Sequence, residues 1–267
     1  MPQFLTDDDV TLVYDDLGPR DGAPVVLCHG LAAAGEQLAA DAAFFARRGY
    51  RVLVPDVRGH GRSGKPNPMT AEGFGIPRMA NDLVAMLDHA EAGPVHWVGN
   101  SLGGILALEL LARHEARLQT LATFGTAYAL SLPRWGAQVI PWTYAVFGRK
   151  LYAWMAARGM TRHAAARLLI AGMVERFDPQ VGLLAAHNLT RYDLIANALA
   201  ARLPILILRG GRDPQVNVVL GPTLRAMRGR PNFTLVEVPE GGHCANLDAT
   251  EQVRMELLRF WQRAARS

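Results

Sequence analysis

The sequence predicts an α/β fold: a mostly parallel sheet with helices on both faces and a helical insertion near the middle of the chain. Three observations point there. Short apolar runs alternate with longer runs of helical period. Central runs such as Val25-Val26-Leu27 and Ile205-Leu206-Ile207-Leu208 lack polar alternation, as strands covered on both sides should. The alternation stops between Thr126 and about Tyr192, where helical stretches and aromatic residues take over.

In chain order, strands are expected at residues 10–14, 24–28, 51–54, 95–98, 118–124, 205–208 and 233–238. Helices are expected at 36–48, 77–90, 102–113 and 250–264. Residues 1–125 and 193–267 then form one core, interrupted by 126–192. The interruption holds three of the five tryptophans, and eight Lys/Arg against two Asp/Glu. Its aromatic residues, among them Trp135, Trp142 and Tyr144, serve to cover its own helices and to line an apolar substrate pocket.

A chain of 267 residues can bury one sizeable core. Half of it is hydrophobic and 19% is charged, a globular balance. No uncharged run reaches the length of a membrane span; the longest covers residues 92–108. The start carries Asp7, Asp8 and Asp9 and no apolar stretch, so no secretion signal is expected. Two cysteines, Cys28 and Cys244, make no disulfide framework; both are expected to be reduced, small and buried, in a cytoplasmic protein. The net charge is +4, but no dense Lys/Arg stripe marks a nucleic-acid partner.

The chemistry concentrates at Gly99-Asn100-Ser101-Leu102-Gly103, between an apolar run and a helix-like run. A serine flanked by glycines at a sharp strand-to-helix turn is a nucleophile elbow. The turn strains the serine backbone, and bulky residues two before and two after it would collide. A serine nucleophile needs a base, and the base needs an orienting acid. Asp213 follows the run 205–208 and His243 follows the run 233–238, so all three lie just past strand ends, where open parallel sheets bind ligands. Ser101 would attack an acyl carbonyl, His243 would carry its proton, and Asp213 would hold the imidazole. Two backbone amides should stabilise the oxyanion: Leu102, at the helix start, and Leu31, in the loop His29-Gly30-Leu31 after the run 24–28.

These motifs resemble the α/β-hydrolase superfamily. The matching pieces are His29-Gly30, the segment from Pro55 through Arg58-Gly59-His60-Gly61 to Ser63, the Ser101 elbow, Gly211-Arg212-Asp213 and Gly242-His243. The resemblance implies an eight-stranded core, with 126–192 as a cap over the active site. Gly-Asn-Ser-Leu-Gly-Gly is similar to the elbow of carbon–carbon bond hydrolases, but these carry Gly-Pro-Gly after their His-Gly, where this chain has Leu31-Ala32-Ala33. The segment from His243 to Asp248 is similar to enol-lactonases and simple esterases. His29 and Leu247 join the three cap aromatics as expected pocket residues.

Gly59-His60-Gly61-Arg62-Ser63-Gly64 matches a dinucleotide fingerprint by letter, but Lys65-Pro66-Asn67-Pro68 cannot open the helix that a pyrophosphate needs. The remaining histidines lack paired metal-ligand spacing, so neither a metal nor a cofactor is expected. The expected function is cleavage of carboxylic esters of small to medium apolar acyl groups through an acyl-enzyme, with a small-molecule ester as partner, no nucleic acid and no integral membrane association. An enol-lactonase or carbon–carbon hydrolase on an acidic substrate is the alternative. A ligand-binding protein without turnover is more remote, since it need not keep all three side chains and the oxyanion loop. The positive excess of 126–192 reads first as a solvated basic face, and as the alternative it would attract an anionic substrate or an anionic membrane surface.

Overall fold

A computed structural model describes residues 1–133 and 139–266, with the side chains of 139–142, 144 and 145 left aside. Its strands are β1 (Gln3–Leu5), β2 (Thr11–Leu17), β3 (Pro24–Cys28), β4 (Arg51–Asp56), β5 (Val95–Asn100), β6 (Leu118–Phe124), β7 (Ala129–Ser131), β8 (Arg191–Asp193), β9 (Ile205–Gly210) and β10 (Phe233–Val238). Eight of them form one sheet in the order β1-β2-β4-β3-β5-β6-β9-β10. β4 through β10 of that sheet run parallel. The β1–β2 and β2–β4 pairings are antiparallel. The seven expected strands are all present; β1, three residues at the sheet edge, is too short to show a period in the sequence.

The helices are α1 (Ala39–Ala46), α2 (Ile76–His89), α3 (Leu102–His114), α4 (Val139–Met160), α5 (Ala164–Arg176), α6 (Pro179–Leu189), α7 (Ile195–Ala200), α8 (Pro214–Asn217), α9 (Gly221–Met227), α10 (Ala245–Asp248) and α11 (Thr250–Ala264). Alternate strand residues feed opposite layers, as the period of two requires. Val26 and Cys28 pack with Leu83 of α2 and Leu106 of α3. Val25 and Leu27 pack with Phe45 of α1 and Phe260 of α11. α11 shows why a surface helix docks here: Val253, Leu257, Phe260 and Trp261 recur at helical spacing and are buried. Burying such a side chain contributes about 1.5–3 kcal/mol.

Between β6 and β9 the chain leaves the sheet. The sequence reading places no strand in 126–192, but β7 and β8 pair antiparallel, with Leu130 opposite Tyr192. Two three-residue strands that find each other across the whole insertion carry no local pattern. α4 is broken at Gly148, whose φ is 71°. Beyond that break Ala153 and Ala157 pack against Ile170 and Val174 of α5.

Candidate active site

The chain leaves β3 toward β4 on one side and returns in β5 on the other. The crevice of an open sheet lies at such a reversal, beyond the carboxyl ends of the strands. Cys28, the last residue of β3, stands opposite Gly99 of β5, so the loop after β3 and the turn after β5 emerge side by side.

That turn is sharp. Ser101 has φ 49° and ψ −111°, a conformation that costs a side-chain-bearing residue about 1–3 kcal/mol. Its amide donates to the Phe124 carbonyl and its carbonyl accepts the amides of Gly104 and Ile105, each at 3.0 Å. A methyl group on Gly99 would collide with the Gly103 and Gly104 backbone, and one on Gly103 with the Cys28 carbonyl. The glycines are there because α3 is pressed against the strands that carry it.

Asp213 caps α8. Its Oδ1 accepts the amides of Gln215 and Val216, both at 3.1 Å, while its Oδ2 meets Nδ1 of His243 at 3.1 Å. Asp213 and His243 are both buried. With the carboxylate as acceptor, the proton sits on Nδ1 and Nε2 is left able to accept a proton. His243 and Ser101 line one cavity of 360 Å³, shared with Leu31 and Leu102. Among the described residues, the amides of Leu31 and Leu102 have no acceptor in the protein, and the Gly103 amide ties α3 to the His29 carbonyl at 3.0 Å. The two amides assigned to the oxyanion therefore sit at one tied junction of loop and helix.

The rest of the cavity is mostly apolar, with Ile105, Leu130, Leu189 and Val216 in its wall beside the polar Thr126, Tyr192 and Gln215. Apart from His243, no ionisable acid or base other than Tyr192 lines it among the described residues. Burial raises the Tyr192 phenol, which donates to the Ala127 carbonyl at 2.9 Å.

Two expected pocket residues lie elsewhere. His29 is fully buried behind the loop: its Nε2 accepts the Val57 amide at 3.1 Å and its Nδ1 donates to the Gly30 carbonyl at 2.8 Å. Burial lowers its pKa and pushes that of neighbouring His60 down to about 3, so both imidazoles are neutral braces. Leu247 packs among the apolar residues of α4 and α5 instead of the cavity, because it follows the histidine loop into α10. Trp135 and the side chains of Trp142 and Tyr144 lie outside the described residues.

The structure adds residues that motif reading passed over. Asn100 sits inside the elbow; its Nδ2 donates to the His243 carbonyl at 2.9 Å and its Oδ1 accepts from Gln37 at 2.9 Å. Strand alternation would have flagged it, since its side chain faces away from those of its neighbours. Asp248 accepts the Gly242 amide at 2.8 Å and also the Thr161 hydroxyl, joining the histidine loop to the end of α4. No spacing rule announces that contact.

The glycine-rich segment 59–64 is a brace. Arg58 is fully buried between Asp82 and Asp8, with Nε 2.5 Å from Asp82. Asp56 accepts the Gly35 amide at 2.7 Å and the Arg62 amide at 3.1 Å, supporting the loop after β3 from behind. A separate cavity of 430 Å³ beside this segment contains Arg176 and Lys65, which pair with Glu36 and Asp178.

The sheet order, the strained serine turn and the switch-point cavity define an α/β hydrolase architecture. The model of the alpha/beta hydrolase fold family matches residues 23–250, and the chain belongs to that family. Over 104 residues it is 36% identical to a non-heme chloroperoxidase of Burkholderia pyrrocinia, covering 39% of this chain and 36% of that protein. Over 115 residues it is 34% identical to a bifunctional esterase/perhydrolase of Acinetobacter calcoaceticus, covering 43% and 40%. A longer match, 26% over 263 residues, is to the dihydrolipoyllysine-residue acetyltransferase component of the acetoin cleaving system of Pseudomonas putida, covering 93% of this chain and 66% of that one. The chain thus spans between about a third and two thirds of the curated relatives it matches. Among solved structures, an esterase from Thermogutta terrifontis superposes with a TM-score of 0.84 at 23% identity, covering 98% of this chain and 97% of that one. The enol-lactonase from Burkholderia xenovorans LB400 gives 0.83 at 21%, covering 98% and 100%. At these identities the structures share the fold.

Proposed function

We propose that this chain is a cytoplasmic serine hydrolase that cleaves carboxylic esters with small to medium apolar acyl groups, residues 126–192 forming the cap over its active site. The observation that carries the reading is the 3.1 Å contact of His243 with Asp213 at the same cavity onto which Ser101 opens. Ser101 Oγ bonds to the ester carbonyl carbon while Nε2 of His243 takes the hydroxyl proton. The carbon–oxygen bond to the alcohol then breaks, and the imidazolium returns the proton to the leaving oxygen. Water, deprotonated by the same nitrogen, hydrolyses the acyl-enzyme and restores Ser101. The amides of Leu31 and Leu102 hold the oxyanion in both halves, each worth about 3 kcal/mol of barrier.

The apolar wall supports an uncharged acyl group. An enol-lactone or ring-cleavage product bearing a carboxylate would call for a cation, and no Lys or Arg lines the cavity among the described residues. The esterase names among the relatives and neighbours favour the same choice. The test is a fluorophosphonate probe, which should label Ser101 in the wild type and not in Ser101→Ala, together with a series of p-nitrophenyl esters. Folded protein that resists the probe, or that prefers anionic acyl groups, overturns the reading.

A further inference from the structure

The helix after the Gly148 break is apolar on the wrong side. An ordinary surface helix turns its large apolar residues inward. Here the fully buried positions are Ala153 and Ala157, both 1% exposed, with Tyr152 and Met160 packed partly buried beside them, while Leu151, Trp154 and Met155 face outward at 46%, 53% and 36%. These three lie on one face by their helical spacing, and Arg158 completes it with its guanidinium 4.6 Å over the Trp154 ring. Val146 and Phe147, just before the break, are exposed as well.

Along the chain the charge of this region has one sign, although Asp248 reaches the end of α4 at Thr161. Residues 116–174 contain no Asp or Glu, in a chain that has 24 of them. The ion pairs of the insertion use Arg176 and Asp178, and Lys150, Arg158 and Arg162 take part in none among the described residues. Arg149 is committed to the carbonyls of Glu175 and Phe177.

We propose that the outward face of α4 docks on an anionic lipid bilayer, Leu151, Trp154 and Met155 entering the headgroup boundary and Lys150, Arg158 and Arg162 resting on the lipid charge. An indole with a cation above it suits that boundary, where one end is apolar and the other wet. A second copy of the chain is disfavoured by charge: an isologous contact would bring this face's Lys150 and Arg158 into one interface with the partner's identical cations. Among the described residues no helix is long and apolar enough to cross a membrane, so the contact is with the surface. The proposal is independent of the ester chemistry, because none of these side chains lines the Ser101 cavity.

Vesicle flotation tests it, with phosphatidylcholine alone and with about one third phosphatidylglycerol. The full chain should float with the anionic vesicles, far less with the neutral ones, and progressively less as salt rises. Leu151→Glu with Trp154→Glu should weaken anionic binding about tenfold or more, with turnover of a soluble ester and the circular dichroism unchanged. Lys150→Ala with Arg158→Ala, which leaves the apolar residues in place, should lower the binding and its salt dependence. The proposal fails if the wild type does not float with anionic vesicles at low salt. It fails equally if both double variants bind like the wild type, or if the wild type is a dimer that Leu151→Glu with Trp154→Glu makes monomeric.

Discussion

Small residues do opposite work in two parts of this molecule. At the turn after β5, Gly99 and Gly103 are small because backbone presses on backbone, and a single methyl group has no place to go. On α4, Ala153 and Ala157 are small on the inside while Leu151 and Trp154 project outward. The first pattern is written in five consecutive residues. The second emerges only when α4 and α5 are folded against each other. The turn after β5 is thus a device of local geometry, and the insertion is a device of packing; substitutions should separate the two.

The largest effect belongs to the elbow. Ser101→Ala should lower kcat for p-nitrophenyl acetate by about 10⁶-fold while leaving the melting temperature near that of the wild type. A loss under about 100-fold would take the nucleophile away from this turn. Next comes the brace behind it. Asp82→Ala leaves the fully buried Arg58 with Asp8 as its remaining carboxylate partner and should cost about 3–5 kcal/mol in urea unfolding, with turnover per folded molecule nearly intact.

The insertion side of the comparison is probed through the cavity. Leu130→Phe narrows the cavity beside Ser101 and, on the proposed function, should reduce kcat/KM for long-chain esters relative to acetate by about 10–200-fold. Asp248→Asn tests the junction between the regions. Loss of the charge that holds the Gly242 amide and the Thr161 hydroxyl should cost about 1–3 kcal/mol of stability.

The last effect is a pH slope. Burial holds His60 near 3 and His96 near 4, whereas an unfolded imidazole titrates near 6.5. Between those values the unfolded chain binds protons that the fold refuses, so stability falls as the pH drops from about 6.5 toward 4. Thermal melts at intervals across that window should show the decline, and His96→Phe should flatten it.

The sheet, its layers and the three separated side chains were legible because each leaves a local mark. Buried strands read as unbroken apolar runs, and Ser101, Asp213 and His243 each follow one of them directly. His29 begins the loop after β3 in sequence, but its ring turns back toward the Val57 amide, away from the cavity. Asn100 and Asp248 were passed over because their partners lie 143 and 87 residues away in the chain, at His243 and Thr161. β7 and β8 hid for the same reason.

Asp213 divides its two oxygens, one toward a pair of amides and one toward the imidazole. An asparagine there would have only one atom able to accept, and the two amides at the head of α8 would claim it. Its NH₂ would then be turned on the ring and would meet a nitrogen that must give up its hydrogen, moving the proton to the nitrogen that should be bare. Asn at 213 should therefore be a worse replacement than Ala, which leaves the ring free to choose its own tautomer.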